Sequence, residues 1–163
     1  MKDRIRLKKI VSEDFESFCS MVGNEKVMDM ITERALTREE ARKKFDDMLQ
    51  NSELNPLYGS FRVVEKKSAE LIGFAKLEIT REKMDEAELG FMLLPVFWGL
   101  GLGSEIARIL LDVAKSDPRL KRVYANIDPN NEASRKILVN NGFKSEKLVE
   151  IDGLPGEILT LSV

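Results

Sequence analysis

An α+β fold, with one mixed central sheet of about seven strands flanked by about four helices, is what this sequence predicts. Three observations lead there. Short segments that alternate apolar and polar residues recur along the chain, the pattern of half-buried strands. Segments with apolar residues three and four apart, the pattern of amphipathic helices, fall between them in the order βααβββαβαββ. The length of 163 residues with 43% hydrophobic content suits one domain, residues 1–163, on a single sizeable core.

The first strand is expected at residues 4–8, where apolar and basic side chains alternate. Ser12 is the candidate N-cap of a helix carrying Phe15, Phe18, Cys19 and Val22 at helical spacing, ended by Gly23 and Asn24. Residues 25–31 suit a further short helical piece. Thr37 and Glu40 make a capping box for a helix to about residue 50. Its apolar side is Ala41, Phe45, Met48 and Leu49, and its mixed charges opposite read as a solvated face.

Residues 58–65 and 71–79 read as antiparallel strands, and residues 81–86 as a polar turn. The next strand, 87–94, places Ala87, Leu89, Phe91 and Leu93 on one face and Glu88, Gly90, Met92 and Leu94 on the other. Gly90 within it points to a bulge or a close backbone approach. A helix after residue 101 presents Leu102, Ile106, Ile109, Leu110 and Val113 as a core stripe. A strand at 121–127 follows, then a recapped helix from Asn131 to Asn141-Gly142. Strands at 143–151 and 157–163, joined by a turn at 152–156, end the chain.

Composition narrows the chemistry. With 26 basic and 28 acidic side chains the net charge is −2, which gives no electrostatic case for nucleic acid. One cysteine excludes an internal disulfide, and the absence of histidine removes Ser-His and Cys-His nucleophile pairs and the commonest metal ligand. No metal is expected. No apolar run is long enough for a membrane span, and the first residues lack a secretory pattern, so a cytoplasmic protein is expected.

The stretch Trp98-Gly-Leu-Gly-Leu-Gly103 joins an apolar strand to a helix. Glycines allow backbone amides to meet a ligand, and a helix start favours an anion, so the stretch is built as a phosphate cradle. The bland alternative is a tight turn whose glycines let helix and strand pack closely. A P-loop would need lysine after its glycines, and Ser104 follows Gly103. The dinucleotide spacing G-x-G-x-x-G fails as well, because Ser104 or Ile106 stands at its last place.

Two segments together carry a resemblance. Phe97-Trp-Gly-Leu-Gly-Leu-Gly-Ser-Glu-Ile106 resembles the pyrophosphate-binding motif of the GNAT acyltransferase superfamily, with Gly101 and Gly103 in its two small-residue places. Trp98 stands where Gln or Arg is usual, as in the branch of ribosomal-protein N-terminal acetyltransferases. Pro129-Asn-Asn131-Glu-Ala-Ser134, followed by Leu138 and Gly142-Phe143, resembles the second motif of that branch.

The resemblance implies a GNAT-like three-layer fold and an N-acetyltransferase using acetyl-coenzyme A (acetyl-CoA) as co-substrate. The acceptor would be a primary amine on a small molecule or a peptide: a protein N-terminus, a lysine or a small amine. The assembly would be a monomer or homodimer. Backbone amides across Gly99, Leu100, Gly101, Leu102, Gly103 and Ser104 would hold the pyrophosphate. The backbones of Phe91, Met92, Leu93 and Leu94 would pair with the pantetheine arm. Glu88 is the candidate general base; otherwise it satisfies a backbone group or an arginine at a strand end. Leu138 stands where many members carry a catalytic tyrosine. Ser134 would hydrogen-bond the leaving sulfur, or else bond its own helix backbone. Asn131 would bond the pantetheine arm and can cap its helix as well. Trp98 would stack on the cofactor or pack beneath the loop. Tyr124 reads as a packing residue. The alternative is a non-catalytic domain that binds or senses acyl-CoA.

Overall fold

The computed structural model describes residues 3–79 and 83–163. The expected start of the 81–86 turn therefore lies outside the described residues. The chain runs β1 (Ile5–Lys9), α1 (Phe15–Val22), α2 (Glu25–Met28), α3 (Arg38–Glu53), β2 (Gly59–Glu65), β3 (Leu71–Ile79), β4 (Glu86–Leu93), α4 (Leu102–Ser116), β5 (Arg122–Ile127), α5 (Glu132–Asn140), β6 (Lys144–Ile151) and β7 (Leu154–Ser162). The strands form one seven-stranded sheet in the order β1-β2-β3-β4-β5-β7-β6. Only β4 and β5 pair in parallel. That pairing requires a crossover, and α4 supplies it.

Helices cover both sheet faces. On one, α4 buries Leu102, Ile106, Leu110, Leu111 and Ala114, and α5 buries Leu138, against Ala75, Leu77, Leu89 and Val123. On the other, α1 and α3 bury Phe15, Phe18, Met21, Ala41 and Phe45 against Phe74 of β3. Phe18 lies between the rings of Phe45 and Phe74, with centroids 5.4 and 5.6 Å away. Burying each such ring stabilises the layer by about 1.5–3 kcal/mol. Burial alternates between these two cores along β4 and along β3 from Phe74 onward; a register shift against β2 at Ile72 reverses the order before it, and both strands are sandwiched.

Local chemistry sets most boundaries. Thr37 Oγ1 accepts from Glu40 N–H at 3.2 Å while Glu40 accepts from Thr37 N–H at 2.9 Å, closing the expected capping box. Asn24 ends α1 and caps α2 through Lys26 and Val27 N–H. At the far end of α3, Lys9 donates to the carbonyls of Ser52 at 2.6 Å, Asn55 at 2.8 Å and Tyr58. A cation at a helix C-terminus satisfies carbonyls that have no partner in the helix.

Three expectations are corrected. Ser12 does not cap α1; residues 12–14 form a 3-10 turn, and Asp14 accepts from Val11 N–H at 2.9 Å. Asp14 also takes Arg62 of β2 at 2.9 Å, a tie that makes it the better anchor. No bulge occurs at Gly90, because β3 and β4 keep register throughout. What approaches Gly90 is Lys76, whose Cε would stand 3.0 Å from a Cβ there. The turn at 152–156 shrinks to Asp152-Gly153, both at positive φ, 53° and 79°. Such a two-residue turn matches the twist of its strands, so Pro155 and Gly156 belong to β7.

Candidate active site

A fork in the sheet defines the site. The parallel pairing of β4 with β5 covers three residue pairs, Glu86–Arg122, Ala87–Val123 and Glu88–Tyr124, and then stops. Beyond Glu88, β5 stays with β7 to Ile127 while β4 stays with β3 to Leu93. Strand groups alternate between the two edges. Leu94 N–H donates to Ile72 of β3 at 2.9 Å, so by that alternation Met92 also faces β3. The amides turned toward the gap are those of Phe91 and Leu93. Of the four backbones expected along the pantetheine arm, two face the gap and two belong to the β3 ladder.

The glycine loop lies at the mouth of this gap, and its glycines do three different things. Gly99 has φ +75° with no atom within 4 Å of a notional Cβ, so its backbone is open. Gly101, at φ +79°, turns the chain into α4. Gly103 is buried, and a Cβ there would stand 2.8 Å from Ile137 Cδ1 and 3.1 Å from Phe91 Cε2. It is small so that α4, α5 and β4 can meet. The N–H groups of Leu102, Gly103 and Ser104 open α4, where the helix dipole favours an anion.

Glu105 in that first turn would oppose an anion, and Arg4 answers it. Arg4 N–H and Nε donate to the Glu105 carboxylate at 2.5 and 2.9 Å, and its Nη1 donates to the Leu100 carbonyl at 3.0 Å. Trp98 stands at the start of the loop. It is 45% exposed, and its Nε1 donates to the Leu93 carbonyl at 2.9 Å, fastening the loop to the end of β4. Lys26 Nζ stands 5.6 Å from its ring centroid. Open glycine amides, a helix start and two outward strand amides fit an extended thioester with a diphosphate.

Below the fork, Asn131 caps α5 by accepting from Ser134 N–H at 3.1 Å. Ser134 is half-buried in that first turn, and among the described residues its hydroxyl takes no backbone carbonyl. Arg135 holds the segment by donating to Pro129 O at 2.5 Å and pairing with the buried Glu157 of β7. The guanidinium holds the Glu157 carboxyl below the usual carboxylate range. Asn141 donates to Ser104 Oγ at 3.4 Å and so links the end of α5 to the start of α4. Leu138 is core, 1% exposed.

On the sheet face under α3, Glu88 meets neither a backbone group nor an arginine among the described residues. Lys76 Nζ pairs with it at 3.2 Å. Glu78 stands directly opposite Glu88 in the β3–β4 register and takes Ser60 Oγ at 3.4 Å. Like charges opposite one another in a sheet repel, and Lys76 offsets that. Lys44 of α3 adds a second cation; burial first, then Lys76, push its ammonium pKa down, against the pull of Glu78 and Glu88. Tyr124 on β5 pairs in register with Glu88. Burial first, then Glu88, Glu86 and Glu78, push its hydroxyl up, so it stays protonated at neutral pH.

Sequence reading missed Arg4, Lys76, Glu78, Arg135 and Asn141. The first four carry one side of an ion pair or hydrogen bond that joins distant segments, and no local motif marks them. A cavity of about 680 Å³ is lined by Lys9, Leu49, Ser52 and Pro56 at the far end of α3.

A family profile for the acetyltransferase (GNAT) domain matches residues 4–144. An uncharacterised N-acetyltransferase, p20, of Bacillus licheniformis is 25% identical over 147 residues, 90% of this chain and 83% of that one. A spermidine N-acetyltransferase from Vibrio cholerae, solved with coenzyme A and spermine, superposes with a TM-score of 0.79 at 16% identity, over 98% of this chain and 95% of that one. A ribosomal L7/L12 α-N-protein acetyltransferase, solved with coenzyme A, gives a TM-score of 0.81 at 15% identity, over 99% of this chain and 96% of that one. These two likenesses concern the fold. The profile match spans most of the chain and includes the glycine loop, the fork and the Asn131–Ser134 turn: this protein belongs to the GNAT acetyltransferase family, and acetyl-CoA is its co-substrate.

Proposed function

We propose that this enzyme moves an acetyl group from acetyl-CoA to a primary amine by direct attack, with the amine approaching from the α3 side of the sheet. The observation that carries the reading is the fork at Glu88: the slot for the thioester opens where a carboxylate stands on the facing side of the same strand. A GNAT site needs a neutral amine, and an alkyl ammonium is mostly protonated at neutral pH. Glu88 accepts that proton, directly or through water. Leu93 or Phe91 N–H stabilises the developing oxyanion. Ser134 donates a hydrogen bond to the departing sulfur, and Asn131 holds the arm beside it.

The acceptor can be a protein N-terminus, a lysine or a small amine. Glu78 and Glu88 give its seat two carboxylates, suited to a cation that takes the place of Lys76. The spermidine enzyme of the same fold acts on such a molecule.

The test is a thiol-release assay over a panel of N-terminal peptides, lysine peptides and small amines. Glu88→Gln should lower kcat/KM at least about a hundredfold while coenzyme A still raises the melting temperature. Unchanged turnover in that variant would remove Glu88 as the base. Coenzyme A binding without turnover of any amine would favour a domain that senses acyl-CoA.

A further inference from the structure

One amine already occupies the acceptor face. Lys76 Nζ lies 3.2 Å from Glu88 Oε1, hydrogen-bond distance from the group assigned as base. Its stem crosses β4 at Gly90, where a Cβ would meet Lys76 Cε at 3.0 Å and Cγ at 3.3 Å. A side chain at Gly90 would force it away, so the glycine admits the lysine over the strand. Gly90 lies two residues past Glu88, where β5 has parted from β4. The ammonium is therefore held beside Glu88, the last residue of β4 that pairs with β5. It remains 37% exposed, free to swing without breaking a buried packing arrangement.

We infer that Lys76 is an internal acceptor: with acetyl-CoA bound and no other amine present, the enzyme acetylates Lys76 Nζ. This rests on the reading of Glu88 as the base. Glu88 takes one proton from the ammonium. The neutral Nζ attacks the thioester carbonyl carbon and forms the C–N bond. The C–S bond breaks, and the second nitrogen proton passes to the thiolate. The products are an acetylated lysine, coenzyme A thiol and one proton returned to solvent from Glu88.

The surroundings favour Lys76 as acceptor. Glu78 stands beside Glu88, and Lys44 brings a second cation close to Lys76. Acetylation removes one of two neighbouring positive charges. It also frees Glu88 from its resident cation, which leaves the carboxylate to an external amine. A first turnover on Lys76 thus primes the acceptor seat.

The experiment incubates the purified full chain with acetyl-CoA alone and follows intact mass, with peptide mapping of the modified residue. One acetyl increment on Lys76 is expected, complete well before surface lysines react. Lys76→Arg should show none while keeping the charge, the fold and the thermal stabilisation by coenzyme A. Lys44→Arg should leave the increment in place, and Glu88→Gln should slow it at least about a hundredfold. Modification spread evenly over lysines, or unaffected by Glu88→Gln, would overturn the proposal. So would an unmodified Lys76 in an enzyme that acetylates external amines, which leaves the transfer reading standing. Absence of coenzyme A binding would instead remove the transfer reading itself.

Discussion

Ser134 and Asp117 show how differently two polar side chains report on this molecule. Ser134 is assigned a hydrogen bond to a sulfur that bears charge only as it leaves. A bond to a charged group contributes about 1.5–3 kcal/mol. Ser134→Ala should therefore lower kcat roughly ten- to hundredfold with little change in KM for acetyl-CoA, read by steady-state kinetics. An unaltered kcat would move the role elsewhere, Tyr124, protonated at neutral pH and in register with Glu88, being the next hydroxyl to test. Asp117 is structural: it accepts from the Tyr58 hydroxyl at 2.7 Å and from Arg119 at 3.1 Å. Arg119 first, then Tyr58, hold its carboxyl well below the usual range. A depressed carboxylate stabilises the fold above its unfolded pKa and loses that contribution as pH falls toward its folded value. Asp117→Asn should be less stable than wild type at neutral pH, and the gap should close as pH drops below about 3.9. Urea titrations at several pH values check this, and a gap independent of pH would refute it.

The start of α4 answers to its glycines one at a time. Gly103→Val forces a side chain into Ile137 and Phe91, and overpacking of this kind costs about 1–3 kcal/mol. Its denaturant midpoint should fall, and coenzyme A affinity should fall with it, because the collision shifts the amides that open the helix. Gly99→Ala meets no atom, so its cost is only that of a positive φ, about 1–2 kcal/mol. If both variants behave alike, the division of labour among the glycines is wrong. On the edge strand β1, Lys9→Met would leave the carbonyls of Ser52, Asn55 and Tyr58 without their donor. Hydrogen exchange should then quicken at the last turn of α3 and leave β4 unchanged.

Past Glu88 the sheet leaves β4 and β5 without pairing to each other. A ligand that bridges β4 and α4 should therefore stabilise the folded chain against unfolding as a unit. At about 100 times its Kd, coenzyme A should add roughly 2.7 kcal/mol. ATP and NAD, lacking the pantetheine arm that would lie along Phe91 and Leu93, should add far less. Parallel thermal scans test this, and an equal shift with all three would mean that the loop binds phosphate without the slot.

The glycine loop, the capping box at Thr37 and the Asn131 cap were legible because each is a local arrangement: side chain and backbone partner lie within a few residues. The alternation along β4 was legible for the same reason, since successive strand residues must point to opposite faces. The fork was not. It depends on where β5 leaves β4 to stay with β7, and that pairing joins segments far apart in the chain. Nor was the pairing of Lys76 with Glu88, of Arg4 with Glu105, or of Arg135 with Glu157. Every charged residue on a strand face has many possible partners until the register is set, and register is set by the packing of both cores at once. Gly90 states the difference most plainly. Its sequence position marked a place where something must come close, and only the folded sheet decided that it was a lysine crossing from the next strand.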